Sequence, residues 1–418
     1  MQPSVAVVGS GVSGLSAAYA LRNTHRVTLF EADSRFGGHA HTHTLTGTDG
    51  RTRHVDSGFI VHNERTYPNL LRIFRELGIE TQPTEMSMSI NCRGCGLQYA
   101  GGRGFPGIAA QPLRLLNPRF VRLLGEVPAF HRAARALLAG ELDADLTWSE
   151  FLRRGKYSDY FIGHFAIPLV SCVWSSGDAD SGAYPAKHLF EFLDHHGMLT
   201  IGNSPTWRTV IGGSQRYVQA IVEQLPSARC NARVVGITRH DDHIEVRTPS
   251  GVEQFDFVIL ATHADIAAGI LTDATPAESE ALQAIKYSSN NTWLHTDEQL
   301  LPTASGARAS WNYRKQHCND ESAAVQVSYW MNKLMRLDGD TNYIVTLNAE
   351  GHVRDDRVIA KMTYDHPIFT TQAVAAAQTL RAAGGPRLAF AGAHLGWGFH
   401  EDGARSGIEA AKKFGAPW

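Results

Sequence analysis

The apolar residues of this chain change their spacing three times. Val5 to Val8 is a short continuous apolar run, of the kind a buried strand needs. Glycines follow, then Leu15, Ala17, Ala18 and Leu21 at helical spacing, and then "RVTLFEA", which predicts a second strand. The opening is therefore strand, turn, helix, strand over residues 4 to 31, and the small residues on the helix let it lie close to a sheet. "RTYPNLLRIFRELGIET" predicts a helix with Pro68 near its start and Gly78 as its C-cap. Residues 108 to 200 lack alternation and predict mostly helix.

Strand patterning then returns. "ARVVGITRHDDHIEVRTPSGVEQFDFVILAT" holds an apolar run, a polar turn, alternating Ile244 and Val246, and a buried-type strand over Phe257 to Leu260. Short β segments follow in "NTWLHT", "AVQVSYW", "NYIVTL" and "RVIAKMTY", and the chain closes on "PRLAFAGAHLGWGFHEDGARSGIEAAKKF", a strand, a glycine-rich loop and a helix. With a strand, loop and helix at each end, the two termini are expected to build one domain with the middle inserted.

Composition narrows the function classes. The 418 residues are 43% apolar and 19% charged with a net charge of −2, which suits a folded α/β protein and gives no field for binding nucleic acid. No apolar run reaches the roughly 18 residues needed to span a bilayer. Five cysteines, Cys92, Cys95, Cys172, Cys230 and Cys318, are sparse and odd in number. That favours a reducing compartment, and the cytoplasm is the expected location.

The chemistry concentrates in the turns. "VVGSGVSGLSAA" fits G-x-G-x-x-G: Gly9 permits the tight turn, Gly11 lets a pyrophosphate approach the backbone, and Gly14 permits close packing of helix on strand. Val12 and Ser13 open the helix, whose free N–H groups and dipole favour phosphate. Glu31 stands 22 residues after Gly9, at the end of the second strand, where a carboxylate can bind both ribose hydroxyls of an adenosine. Ala32, Arg35, Gly37, Gly38 and His39 complete "EADSRFGGH".

At that point the sequence resembles the flavin-dependent amine oxidoreductase superfamily, whose FAD fingerprint runs G-x-G-x-x-G, E, R-x-G-G. The resemblance implies an FAD cofactor, with Arg35 neutralising the diphosphate and Gly37 and Gly38 passing beneath the flavin. It extends the cofactor site to Asp56, Ser57 and Gly58, to Val234 in "ARVVGI" as an adenine contact, to Gly392 at the ribityl chain, and to Glu401, Asp402 and Gly403 at a helix N-terminus facing the flavin pyrimidine. Ala393 stands where the family often has an acid. The implied fold is an α/β, Rossmann-like FAD domain from residues 1–85, 205–270 and 370–418. Residues 86–204 and 271–369 would form an inserted substrate domain of antiparallel sheet plus helices.

Within the superfamily, "VDSGFIVHNERTYPNLLRIFRELGIETQPTEMSMSI", "YSSNNTWLHTD", "ASWNYR", "YDHPIF" and "GFHEDGARSG" together resemble bacterial FAD-binding oxidoreductases associated with cyclopropane and methyl-branched fatty-acid synthesis. This implies hydride transfer between flavin N5 and a fatty-acyl substrate, peripheral contact with a membrane, and a lipid methyltransferase partner. Oxidation of a small amine, or a non-catalytic FAD-binding role beside such a methyltransferase, are the alternatives. His400 is the candidate acid/base, and Trp397, Phe399, Tyr329 and Tyr364 are the candidate substrate wall. Around the strand where amine oxidases carry a flavin-proximal lysine, the chain reads "IKYSSNNTWLHT", with Asn290, Asn291 and Thr292 at that place and Lys286 too early.

Two motifs have metal-like spacing. His39, His41 and His43 alternate, as three ligands on one strand face would, but no carboxylate pair or thiolate set nearby completes a shell. "CRGC" pairs Cys92 with Cys95, yet no second cysteine pair follows; two unpaired thiols in a loop or hairpin are expected, with a redox dithiol as the alternative. No metal is expected.

Overall fold

A computed structural model describes residues 2–142, 145–174, 182–199, 204–318 and 325–418. Five parallel strands form the first sheet, in the order Ser227–Arg229, Arg26–Phe30, Ser4–Val8, Phe257–Leu260, Leu388–Phe390. Its strands come from both ends of the chain and from the middle, and all five residues of Ser4–Val8 are buried. Apolar runs rather than alternation mark these strands, apart from the partly buried edge strand Ser227–Arg229, because both faces are covered. A small antiparallel sheet of Gly236–Arg239, Ile244–Thr248 and Gly251–Phe255 lies beside it.

Helix Val12–Leu21 is buried along its whole length. The reason lies at the far end of the sequence, where helix His400–Lys413 crosses it. A Cβ on Gly403 would stand 2.5 Å from Val12 Cγ1, and one on Gly407 only 2.0 Å from the Ser13 carbonyl oxygen. Two glycines one helical turn apart thus let the backbones meet. Helix Pro68–Leu77 begins on Pro68 and ends on Gly78 at φ +66°, the left-handed cap its sequence predicts.

The second sheet has seven strands, in the order Val358–Ile368, Lys286–His295, Ile344–Leu347, Gln326–Trp330, Trp311–Lys315, Met88–Cys92, Leu97–Gly101. It is antiparallel except for one parallel pair, Trp311–Lys315 beside Met88–Cys92. A helical layer, chiefly Pro118–Leu138, Trp148–Gly155, Ile167–Trp174 and Ala186–His195, closes around buried Phe130, Trp148, Phe161 and Phe190. The helix Pro276–Ala284 lies within the range assigned to the inserted domain. Its Ala281 and Leu282 nevertheless pack with Ala376, Leu380 and Val258 against the parallel sheet, so it belongs to that layer. No helix among the described residues is long and apolar enough to cross a membrane.

Candidate active site

The cleft begins where strand Ser4–Val8 ends. Gly9 turns at φ +101°, and its N–H donates to the Phe30 carbonyl at 2.9 Å, tying the turn to the second strand. A Cβ on Gly14 would lie 1.9 Å from Gly9 O, whereas one on Gly11 would meet nothing within 4 Å. Gly11 therefore faces open space beside the first turn of the helix, and Gly38 closes over it, its Cβ position 3.2 Å from Gly11 Cα. Two glycine turns and a helix N-terminus make a cradle that any side chain at position 11 would fill. That fits a diphosphate.

Glu31 bridges the two turns. Its Oε2 accepts the Ser10 N–H at 3.0 Å and the Ser10 hydroxyl, and its Oε1 accepts the Asp33 N–H at 2.9 Å. Ser10 in turn receives the Gly37 N–H at 3.1 Å. Ser10 carries no signal in the sequence beyond lying between two glycines. The carbonyl of Glu31 accepts the Ala232 N–H at 2.8 Å, which brings the Val234 segment beside the carboxylate. The Val234 side chain itself is buried with Phe30 and Ile237, and Ala32 is exposed at the rim. Arg35 donates to Gly38 O at 2.7 Å and so braces its own loop. Val12 and Ser13 offer the cleft only backbone, because their side chains are buried toward Gly403.

Several side chains expected at the cofactor are engaged within the protein. Asp56 does not face the cleft. It accepts the Thr42 hydroxyl at 2.5 Å and the N–H and hydroxyl of Ser214 at 2.9 Å each, so it anchors the start of helix Gln215–Val222; burial pushes its carboxyl up to about 6. Glu401 is likewise engaged: its carboxylate takes the backbone N–H groups of Asn69 and Leu70 and the Asn69 amide at 2.7–3.0 Å. Asp402 accepts the Phe399 N–H at 3.2 Å and Arg405 at 2.9 Å, which fixes the loop entering the last helix. Gly403 serves helix packing. Gly392 ends its strand by donating to the Ser406 hydroxyl at 2.9 Å. Gly58 lets its segment run against His39, where a Cβ would fall 2.1 Å from the His39 carbonyl oxygen.

The three alternating histidines separate. The strand begins only at Thr42, and His39 turns away to lie on the Tyr364 ring at 4.9 Å, while His41 and His43 pack together at 4.2 Å. Ser57 joins them to the second sheet. Its hydroxyl meets Tyr364 OH at 2.8 Å and His43 Nε2 at 2.9 Å, and Tyr364 OH meets His41 Nδ1 at 3.0 Å. Tyr364 thus ties the seven-stranded sheet to the two-stranded pair Thr42–Thr46 and Thr52–Asp56.

Around His39 gather side chains that no local pattern connects. His366 lies edge-on at 5.4 Å and His263 at 6.4 Å; Tyr287 stacks on His263 at 4.5 Å and meets His394 edge-on at 6.4 Å. Burial depresses these imidazoles, His366 to about 4 and His394 to about 3, so they are neutral at pH 7. Asn290, opposite Tyr364 in the sheet, pairs its amide with His366 Nδ1 at 3.1 Å. Lys286 is exposed at the start of the same strand, opposite Ile368.

His400, the candidate acid/base, is held among aromatic side chains. Its ring lies flat on Phe59 at 3.7 Å, its Nε2 pairs with Tyr217 OH at 3.1 Å, and burial lowers it to about 3. At neutral pH it is therefore the uncharged imidazole, with Nε2 engaged by the Tyr217 hydroxyl. Phe399 stacks on Phe192 at 4.4 Å, and the Trp397 carbonyl accepts Trp174 Nε1 at 2.9 Å, joining the last loop to the helical layer. The Trp397 Nε1 is buried without an acceptor among the described residues. Tyr329 lies three strands from Tyr364, edge-on to Trp311 at 5.4 Å, and packs the sheet.

Comparison with known proteins agrees with this cleft. An amine oxidase [flavin-containing] A from Sus scrofa is 35% identical over 109 residues, 26% of this chain and 19% of that protein. The chain spans between 19% and 58% of the length of the first curated relatives it matches. Among solved structures, wild-type putrescine oxidase bound to putrescine superposes with a TM-score of 0.69 at 16% identity, covering 99% of both chains. A CLA-producing fatty acid isomerase from P. acnes does so with the same score, identity and coverage, and both likenesses show the fold. The model of the flavin containing amine oxidoreductases matches residues 12–413, and the chain belongs to that family, whose cofactor is a flavin.

Proposed function

We propose that this protein is an FAD-dependent oxidoreductase acting on a lipidic, fatty-acyl substrate. The observation that carries the reading is the aromatic wall in which Trp397 and Phe399, on the loop before the last helix, pack on Trp174 and Phe192 of the helical layer. Asp402, the acid of that loop, is occupied by the Phe399 N–H and Arg405 and leaves no free carboxylate there for an ammonium group. Such a wall suits an acyl chain.

Bound FAD supplies a hydride acceptor or donor at N5. The chain's own residues hold the dinucleotide through the glycine cradle and Glu31, keep water away with the aromatic wall, and present neutral imidazoles from His39, His366 and His394. Hydride transfer requires the reacting carbon within about 3–3.5 Å of its acceptor. It also requires an activated C–H bond, so an allylic position is the natural site. Asn290 in place of a lysine on strand Lys286–His295 further supports chemistry other than ordinary amine oxidation. That one fold neighbour is described as a fatty acid isomerase is in keeping with this.

A second reading, oxidation of an amine, draws on the amine oxidase relative and the putrescine oxidase fold. Anaerobic mixing decides between them. The yellow holoprotein is titrated with unsaturated fatty-acyl lipids and, separately, with primary amines, and its visible absorbance is followed. Bleaching by the lipids alone supports the proposal, and bleaching by amines alone overturns it. Bleaching by neither leaves the non-catalytic reading, a flavin-binding partner of a lipid methyltransferase. Mass spectrometry of lipid that co-purifies would then name the acyl chain.

A further inference from the structure

The "CRGC" pair lies at the far edge of the seven-stranded sheet, away from the cleft. Cys92 ends strand Met88–Cys92 and Cys95 sits in the turn before Leu97–Gly101. The fold brings two more soft ligands to that turn. Cys318 arrives just beyond strand Trp311–Lys315, whose Lys315 pairs in parallel register with Cys92, and His164 arrives from the helical layer. The four ligand atoms all lie within 4.8 Å of one another. We propose that Cys92, Cys95, Cys318 and His164 form a tetrahedral Cys3His site that binds one zinc ion.

Distances favour a single tetrahedral ion. Zinc bonds of about 2.3 Å to sulfur and about 2.05 Å to nitrogen, at tetrahedral angles, place two sulfurs about 3.8 Å apart and a sulfur and a nitrogen about 3.55 Å apart. Here Cys92 Sγ and Cys318 Sγ are 3.8 Å apart, and Cys95 Sγ and His164 Nε2 are 3.6 Å apart. Three thiolates and one imidazole select zinc over the hard cations.

The surroundings are those a metal ligand needs. His164 Nδ1 lies 3.0 Å from the Tyr160 carbonyl, which takes its proton and leaves Nε2 free to coordinate. Tyr160 also stacks on the His164 ring at 4.1 Å and sets its angle, and its hydroxyl stands 3.6 Å from Cys95 Sγ. Three thiolates on a divalent ion carry one net negative charge. Buried Lys315 beside Cys318, and Arg114 donating to Cys95 O at 2.6 Å, offset it.

Two glycines make the convergence feasible. A Cβ on Gly94, between the two cysteines, would stand 3.1 Å from Cys318 N, and one on Gly163 would stand 3.2 Å from Cys318 O. The helix carrying Gly163 and His164 widens to a π-turn over Ile162–Ala166, a distortion often found where a helix presents a functional side chain. The ion would pin the sheet edge, the segment after Lys315 and the helical layer together. Binding releases the thiol protons and involves no change of oxidation state.

The test uses the flavin-loaded protein purified from zinc-supplemented cells without chelator. Elemental analysis should give about one zinc per chain, and an organomercurial that titrates thiols should release that zinc in step with modification of Cys92, Cys95 and Cys318. Cobalt refilling should give the thiolate charge-transfer and intense d–d bands of a tetrahedral site. Cys318→Ser should lose the zinc while Cys230→Ser keeps it; should Cys318→Ser fail to fold, the organomercurial release on the unaltered protein stands in its place. The proposal is overturned if the unaltered protein holds no zinc after metal refilling, or if intact mass and peptide mapping show Cys92 and Cys318 joined as a disulfide. Metal content and flavin reduction are read separately, so either proposal can fail without the other.

Discussion

The carboxylate of Glu401 caps the helix that begins at Pro68, accepting the N–H groups of Asn69 and Leu70 at 3.0 Å each. Its side chain joins two helices that are more than three hundred positions apart. An anionic cap on a helix N-terminus satisfies free N–H groups and complements the dipole. Glu401→Ala should therefore lower stability by about 1–2 kcal/mol while the purified protein stays yellow. Equilibrium denaturation and flavin content measured on the same preparation check both halves.

Gly11 and Gly14 are predicted to fail in opposite ways. Gly11 has φ −63° and an open space beside it, so Gly11→Val should fold with near-normal stability and yet purify without flavin, because the branched side chain fills the phosphate cradle. Gly14→Ala places a methyl group 1.9 Å from Gly9 O, and overpacking there should cost about 1–3 kcal/mol. A stable yellow Gly11→Val protein would contradict the cradle.

Buried histidines govern the response to acid. His41, His394 and His400 are lowered to about 3, and His62 and His366 to about 4. A depressed imidazole is neutral in the folded chain and charged in the unfolded one between its folded value and about 6.5, so stability rises with pH across that window. Asp56 and Asp402, raised to about 6, act in the opposite sense from about 3.8 to 6. With His188, His196 and His295, also lowered to about 4, these ten groups predict uptake of about five to six protons on unfolding near pH 5. The unfolding midpoint should fall between about pH 6.5 and pH 5, and calorimetry in buffers of different ionisation enthalpy should show proton uptake rather than release.

The aromatic wall is tested by truncation. Phe399→Ala removes the ring stacked on Phe192 and should raise KM for a fatty-acyl substrate by about 10-fold or more, the loss expected from one buried aromatic contact. Trp397→Ala should act in the same direction. The flavin spectrum should not change, since neither side chain belongs to the phosphate cradle. Unaltered KM in both variants would place the acyl chain elsewhere.

Local pattern revealed the elements and the first half of the cleft. The apolar run Val5–Val8, the spacing of Gly9, Gly11 and Gly14, and Glu31 one strand later are neighbours in sequence and in space, because strand, turn and helix place residues within about 30 positions of one another. Pro68 and Gly78 bounded their helix for the same reason: φ limits act on single residues. The side-chain partners of Tyr329 and Glu401 were not legible because an aromatic in a strand, or an acid at a helix start, looks the same whether it faces a ligand or a neighbouring element.

What the tertiary structure alone decided is which distant residues meet. Strand order put Tyr364 beside His39 and Tyr329 three strands away, though both lie on strands of one sheet. Gly403, expected at a helix N-terminus facing the flavin, and Gly407 are where the last helix crosses the first. Cys318 and His164 join the "CRGC" turn across 223 and 69 residues, counted from Cys95, a convergence set by the parallel register of Lys315 with Cys92 and by a π-turn in a helix. Periodicity reports the face on which a side chain lies, and only the packing of sheets and helices determines what that face meets.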